Sequence, residues 1–371
     1  MTTREEREEL PFWIIFRSID KVALLCTLGV FFMGLLSIYS ATHSRGNVYL
    51  LKQMLWGAVA SMAYLVALAV GYRRFFRYAY PLYGIALGAL VLVLFIGAVT
   101  KGAQSWFSLG PLRLQPSELV KVALALVLGK HLCRYPPTTL RSFCIVLGLA
   151  GASSFLVLLQ PDLGSVLVYG SMTLVALLVA GTPWRYLGGL LGAVGVLSPL
   201  AWMFLLKGYQ KMRLLVFLDP HADPLGAGYN VIQSRIAVGS GGLFGKGFLE
   251  GTQASLRFLP EPHTDFIFSV FAEEFGFLGC CLLLAFFVLL LWRTLRGGLV
   301  SKDLRSKVLV GALTGWIAFQ AMESIAMSIG WAPITGLPLP LFSYGGSSLL
   351  SMGLALGIAQ SVYVESPRSF S

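Results

Sequence analysis

The chain has 371 residues, 56% of them hydrophobic and 12% charged, with a mean hydropathy of +0.76 and a formal net charge of +11. Those values lie outside the range of a soluble domain and predict an all-α polytopic membrane protein with no separate soluble unit. A basic nucleic-acid-binding domain is excluded too, because the positive charges sit in loops between apolar runs and not on one folded polar face.

A helix needs roughly 20 apolar residues to cross the hydrocarbon core. About ten such runs occur, near 22–42, 53–71, 78–99, 117–132, 142–160, 163–181, 185–206, 266–291, 308–329 and 345–363. No cleavable signal is expected before the first, since the residues ahead of it carry mixed charge. The sixth and seventh are joined only by Thr182, Pro183 and Trp184, which predicts a tight helical hairpin. The whole chain, 1–371, reads as a single membrane domain. It has an N-terminal segment 1–21, one large loop at 207–264 and a short tail at 364–371.

Positive loops are retained in the cytoplasm. Alternate loops carry 17 Lys and Arg on one side against 5 in the short loops of the other, the 207–264 loop being set aside as too long to count. Both termini are therefore expected in the cytoplasm and the long loop outside. Cys26, Cys133, Cys144, Cys280 and Cys281 all avoid the outer loops, so neither disulfides nor a cysteine-based metal site is expected.

The long loop is basic, with Lys211, Arg213, Arg235 and Lys246 among its cations, and it is rich in glycine and proline. A loop of this length without function is unusual. Its Gly239-Ser240-Gly241-Gly242-Leu243-Phe244-Gly245-Lys246-Gly247 segment could cradle an anion on backbone N–H groups or simply make turns. Neither nucleotide motif fits. The position five before Gly245 is Ser240, and Phe244 stands where the third dinucleotide glycine belongs.

The loop ends in Pro260-Glu261-Pro262-His263-Thr264-Asp265-Phe266, and either Thr264 or Asp265 could cap the helix that follows. Against a pure cap stands the length of that helix, because Phe275–Trp292 already spans the membrane. Residues 265–274 are then surplus and extend about 13 Å above it or line a cavity. On such a helix Glu274 faces away from Asp265. Three further acidic positions fall in or beside spans, where ionisable groups are costly. Glu118 lies one turn from Lys121; the two could pair, or Lys121 could extend outward to water. Glu323 lies mid-span and should face the bundle interior. Asp162 sits in the turn Gln160-Pro161-Asp162-Leu163-Gly164, where capping and function are equally open.

Several runs in register resemble one family. These are Lys101-Gly102-Ala103-Gln104-Ser105-Trp106, Gln115-Pro116-Ser117-Glu118-Leu119, Gln160-Pro161-Asp162-Leu163-Gly164, Phe217-Leu218-Asp219-Pro220, Gly226-Ala227-Gly228-Tyr229-Asn230, His263-Thr264-Asp265-Phe266-Ile267-Phe268 and Ser343-Tyr344-Gly345-Gly346-Ser347-Ser348. Together they are similar to the SEDS (shape, elongation, division, sporulation) family. Gly251-Thr252-Gln253 and the short tails resemble its elongation (RodA) branch more than its division (FtsW) branch.

The resemblance implies a ten-helix enzyme of the bacterial inner membrane that polymerises lipid II into glycan strands. It implies a class B penicillin-binding transpeptidase as partner, with other elongation-complex membrane proteins, and no nucleic acid. The family's essential aspartate maps onto Asp265, and its fourth-helix Glu and Lys onto Glu118 and Lys121.

Inversion at the anomeric carbon requires a base for the acceptor hydroxyl, for which Asp265 is the candidate. It also requires positive charge for the departing pyrophosphate, for which Lys211, Arg213, Lys246 and Lys121 are candidates. A divalent cation, Mg or Mn, held partly by Asp265 would serve the second need equally well. Asp162, His263 and Glu323 are expected in supporting positions. The alternatives are a lipid II flippase and a non-catalytic scaffold for the transpeptidase.

Overall fold

In a computed structural model, ten of the helices follow the apolar runs: α1 (Lys21–Thr42), α2 (Val48–Val70), α4 (Ala79–Ile96), α5 (Pro116–Arg134), α6 (Leu140–Leu158), α7 (Leu163–Val179), α8 (Trp184–Leu200), α12 (Ile267–Val300), α13 (Leu304–Ile329) and α14 (Gly346–Val364). The described residues are 17–366 without 44, 45, 101, 102, 111, 207 and 225. Arg4, Arg7, Arg45, Lys101 and Arg368, which enter the orientation count, Lys207 of the long loop, the rest of residues 1–16, and the tail beyond Ser366 lie outside them.

Local signals set the helix ends. Asp20, Thr139, Asp162 and Asp303 each accept backbone N–H bonds as N-caps of α1, α6, α7 and α13. Gly330 ends α13 in the left-handed conformation. The bundle is organised around α5, α13 and α14, which are buried on nearly every face. Glycines 346, 353 and 357 let α14 lie against Trp56, Ala60 and Tyr64 of α2, too close for a Cβ. By contrast α8, which contains Pro199 and runs on into a π turn at Ala201–Leu205, is almost wholly exposed along its length.

Three features depart from the sequence expectation. Between α4 and α5 the chain forms a small antiparallel sheet of β1 (Ala98–Thr100), β2 (Ala103–Leu109) and β3 (Leu112–Leu114). Trp106 lies opposite Ala98, and Phe107 opposite Leu114. The segment read as a loop at 207–264 is largely helical, with α9 (Gly208–Leu218), α10 (Ala227–Ser240) and the single turn α11 (Thr252–Ser255); α3 (Tyr72–Arg77) is a further short helix after α2.

The third departure is α12, which is two helices and not one. Gly276 has φ 63° and ψ −164°, which breaks it into a half-helix 267–275 and the span proper. The glycine-rich segment fills that break. The N–H groups of Lys246 and Gly247 donate to the carbonyls of Glu273 and Glu274, and those of Phe277 and Leu278 to Gly242 and Leu243. A Cβ on Gly245 would lie 2.0 Å from the Glu274 oxygen. These glycines therefore dock backbone on backbone and satisfy the carbonyls and amides freed by the break. Of the N–H groups suggested for an anion, those of Lys246 and Gly247 are spent on α12 and that of Gly245 on the Gly241 carbonyl.

Candidate active site

The Asp265 side chain is half-buried where the half-helix of α12 begins. Contrary to the expectation of a surplus helical turn, Asp265 precedes the helix; Phe266 is the N-cap residue and helical geometry starts at Ile267. The angular argument that set Asp265 opposite Glu274 therefore does not apply. Glu274 does point elsewhere, accepting a hydrogen bond from the Ser40 hydroxyl of α1.

What holds Asp265 is the irregular segment 330–345 between α13 and α14, a strap that carries Pro333, Pro338 and Pro340 and yet is largely buried. Buried backbone must find partners, and here each anchor is a named side chain. Gln320 of α13 donates to the Pro338 carbonyl at 2.7 Å. Gln53 of α2 donates to the Ser343 carbonyl at 3.1 Å and accepts from the Gly345 N–H at 3.3 Å. Arg213 of α9 donates to the Ile334 carbonyl at 3.2 Å, and Arg235 of α10 to the Gly330 carbonyl at 2.8 Å.

The strap in turn holds the residues before Asp265. Ser343 Oγ accepts from the Leu339 N–H and donates to the Thr264 carbonyl, both at 2.8 Å. The Tyr344 N–H donates to the His263 carbonyl at 3.0 Å. The buried His263 ring packs between Tyr49, 4.5 Å away, and Tyr344, 5.6 Å away. Gly336 has φ +78°, a conformation that favours glycine, and a Cβ there would lie 3.9 Å from Asp265 Oδ2. The strap thus runs directly beneath the carboxylate.

A second carboxylate lies on the other side of the strap. Glu323 accepts a hydrogen bond from the Thr335 hydroxyl through Oε1, while its buried Oε2 meets no hydrogen-bond donor among the described residues. It faces the bundle interior as expected and feels the charge of Asp265.

The remaining candidates sit as follows. Lys121 and Glu118 do pair, at 2.7 Å, with side-chain exposures of 0% and 4%. Lys121 does not extend outward. Its ammonium also donates to Gln320 Oε1 at 3.1 Å, which accepts from Trp316 Nε1 at 2.7 Å, and Ser351 donates to the other Glu118 oxygen at 3.3 Å. This pair therefore ties α5, α13 and α14 together beneath the strap.

Lys246 bonds Glu273 at 2.6 Å, and the same Glu273 oxygen accepts the Thr252 N–H at 2.9 Å. Lys211 lies 6.0 Å from the Trp202 ring. Asp162 caps α7 through the Ser165 N–H at 3.0 Å and accepts from Gln115 at 3.4 Å.

Of the predicted cations, Arg213 is the one bonded to the strap. Arg235, Gln53, Gln320, Thr335 and Ser343 were not singled out from sequence. Among the described residues no group of three or more His, Cys, Asp or Glu could hold a metal ion. A divalent cation at Asp265 would therefore rely on water and substrate oxygens for its other ligands.

Comparison with known proteins agrees with this architecture. The family model FtsW/RodA/SpoVE, described as cell cycle protein, matches residues 17–367. The peptidoglycan glycosyltransferase MrdB of Escherichia coli K12 is 39% identical over 93% of this chain and 93% of its own. Stage V sporulation protein E of Bacillus subtilis is 35% identical, over 92% of this chain and 96% of its own.

Among solved structures, a chain from a peptidoglycan synthase complex that coordinates polymerization and crosslinking superposes with a TM-score of 0.82 at 35% identity. It covers 93% of this chain and 97% of that one. The rod shape determining protein RodA of Thermus thermophilus superposes at 0.72 with 32% identity, covering 94% and 98%. Ten apolar helices, a strap-held aspartate and near full-length matches in both sequence and structure place the chain in the FtsW/RodA/SpoVE (SEDS) family.

Proposed function

We propose that this protein is a peptidoglycan glycosyltransferase that polymerises lipid II into β-1,4 glycan strands during lateral wall elongation. The observation that carries the reading is the strap, which sets the Asp265 carboxylate beside Gly336 and the Arg213 guanidinium on Ile334, two residues away. Base and cation are thus presented together by one buried segment. The similarity to MrdB supports the activity, and the similarity to a synthase complex supports a crosslinking transpeptidase as partner.

In this reading the acceptor's 4-hydroxyl oxygen attacks the anomeric carbon of the lipid-linked donor. The C1–O bond to pyrophosphate breaks, and the undecaprenyl pyrophosphate leaves with the bonding electrons. Asp265 accepts the hydroxyl proton and passes it to water. Arg213 and Arg235 stabilise the charge that develops on the pyrophosphate. A Mg or Mn ion, held in part by Asp265, would supply further positive charge there.

The lysine and arginine asymmetry supports termini in the cytoplasm of an inner membrane and a site at its outer face. A transport reading is weakened by the Glu118–Lys121 pair, which is buried and bonded to Gln320 and Ser351 within the bundle.

The test is glycan synthesis from fluorescent lipid II by purified protein with its transpeptidase, comparing wild type with Asp265→Asn at matched thermal stability. Polymer from wild type and none from a variant that still binds its partner is the expected outcome. Normal polymerisation by Asp265→Asn would overturn the assignment.

A further inference from the structure

A groove of about 200 Å³ runs between α1, α2 and α14, on the half of the bundle nearer the N-terminus. Its lining is mainly apolar, with large residues on α1 (Leu24, Leu28 and Phe31) and small ones facing them, Gly57 and Ala60 on α2 and Gly353 on α14. Leu28 and Ser61 on its rim are exposed. The small residues leave an apolar groove whose exposed rim residues face the surface of the bundle.

Charge at the mouth says what fills it. Lys21, Leu24, Leu28 and Phe31 follow one another at helical spacing, so the exposed Lys21 stands on the groove face of α1, one turn outside the apolar stripe. The phase of α1 is fixed there. Asp20 accepts from the N–H groups of Val22 and Ala23 at 3.0 and 3.1 Å and from Arg293 of α12 at 2.7 Å. From Lys21 to Phe31 the helix rises about 15 Å, which is half of a roughly 30 Å hydrocarbon core. The groove therefore matches one leaflet, with an ammonium at headgroup depth.

We propose that this groove binds one acyl chain of an anionic glycerophospholipid from the leaflet on the N-terminal side, with Lys21 on its phosphate. By the orientation proposed above, which the leaflet assignment rests on, this is the cytoplasmic leaflet. The occupant also reaches the catalytic strap. Leu341, which lines the groove, is a non-glycine residue at φ 64°, two residues before the Ser343 that bonds the Asp265 turn. A left-handed leucine persists only where its surroundings hold it, and the chain terminus packs beneath it. The lipid is thus a support for the active site, applied from the opposite leaflet.

The experiment places the protein in nanodiscs of phosphatidylcholine doped with phosphatidylglycerol that carries a diazirine near the end of one acyl chain. Crosslinks are mapped by mass spectrometry, a readout that needs no glycan synthesis. Label is expected on 57–65 of α2 and at Leu341. The surface variant Lys21→Glu should lower it about fivefold, the effect of losing roughly one basic residue's attraction to an anionic surface. Ser61→Phe, which fills the groove from its exposed rim, should abolish it there while leaving label elsewhere unchanged.

In parallel, polymerisation by wild type should rise with the phosphatidylglycerol fraction and that of Ser61→Phe should not. Label indifferent to both headgroup charge and Ser61→Phe would overturn the site, and equal lipid response in both proteins would overturn the support of Leu341. Loss of label on adding the transpeptidase would assign the groove to a protein helix instead. Loss of polymer from every sample, with labelling intact, would count against the glycosyltransferase reading alone.

Discussion

Ser343 Oγ donates to the Thr264 carbonyl at 2.8 Å, one residue before Asp265, and the same oxygen accepts the Leu339 N–H. A single buried hydroxyl thereby fastens the aspartate turn to the strap. Ser343→Ala would strand a buried N–H and a buried C=O, costing about 1–3 kcal/mol of stability. It would also loosen a carboxylate whose misplacement by about 1 Å costs on the order of 100-fold in rate. We expect the polymerisation rate to fall far more than donor affinity, and Ser343→Thr to retain most of it. A variant with wild-type turnover and only a lowered melting temperature would show that the bond is merely structural.

Gly336→Ala should be harmful for two separable reasons. A β-carbon at φ +78° is strained by roughly 1 kcal/mol or more, and it would stand in van der Waals contact with Asp265 Oδ2. Crowding at the carboxylate predicts weaker acceptor binding, seen as a raised KM for lipid II. An unchanged KM would mean that the acceptor approaches from another side.

Lys121→Met leaves Glu118 buried without its cation, an arrangement that costs about 3–5 kcal/mol. If the pair serves to tie helices together, the double variant Glu118→Gln with Lys121→Met should recover most of the lost melting temperature and part of the polymerisation. If Lys121 instead holds the pyrophosphate, the double variant folds and stays inactive. Thermal melts and polymer yield on the same samples separate the two.

Gly245→Ala should unfasten the outer segment. The added carbon would lie 2.0 Å from the Glu274 carbonyl, at a φ of +83°, so the segment must withdraw from the break in α12. Limited proteolysis should cut between Gly239 and Gly251 in this variant and spare wild type; equal protection of both proteins would refute the docking.

How much of this was legible in the chain depends on the range of the interaction. Spans as apolar as Lys21–Thr42 declare themselves by composition, and α13 and α14 did so despite being largely interior. The argument for Asp265 ran through a helix that begins two residues later than assumed. The sheet at 98–114 went unseen because two of its three strands have only three residues, too few for alternation to register.

In α10 the buried Val231, Ser234 and Ala237 do recur at helical spacing, but flanking glycines and prolines read as loop. Gln53 and Gln320 gave no signal at all. A lone glutamine in an apolar run names no partner, and that of Gln53 lies 290 residues away.

The break at Gly276 has a mechanical consequence. A span that meets a thicker or thinner bilayer responds by tilting, and a continuous α12 would swing Asp265 with it. At the bend the half-helix is bonded to Lys246 and Gly247 and the span to Gly242 and Leu243, so any tilt of the span must also move the glycine-rich segment that bridges the two. A change in membrane thickness thus reaches the carboxylate only against the resistance of that splint.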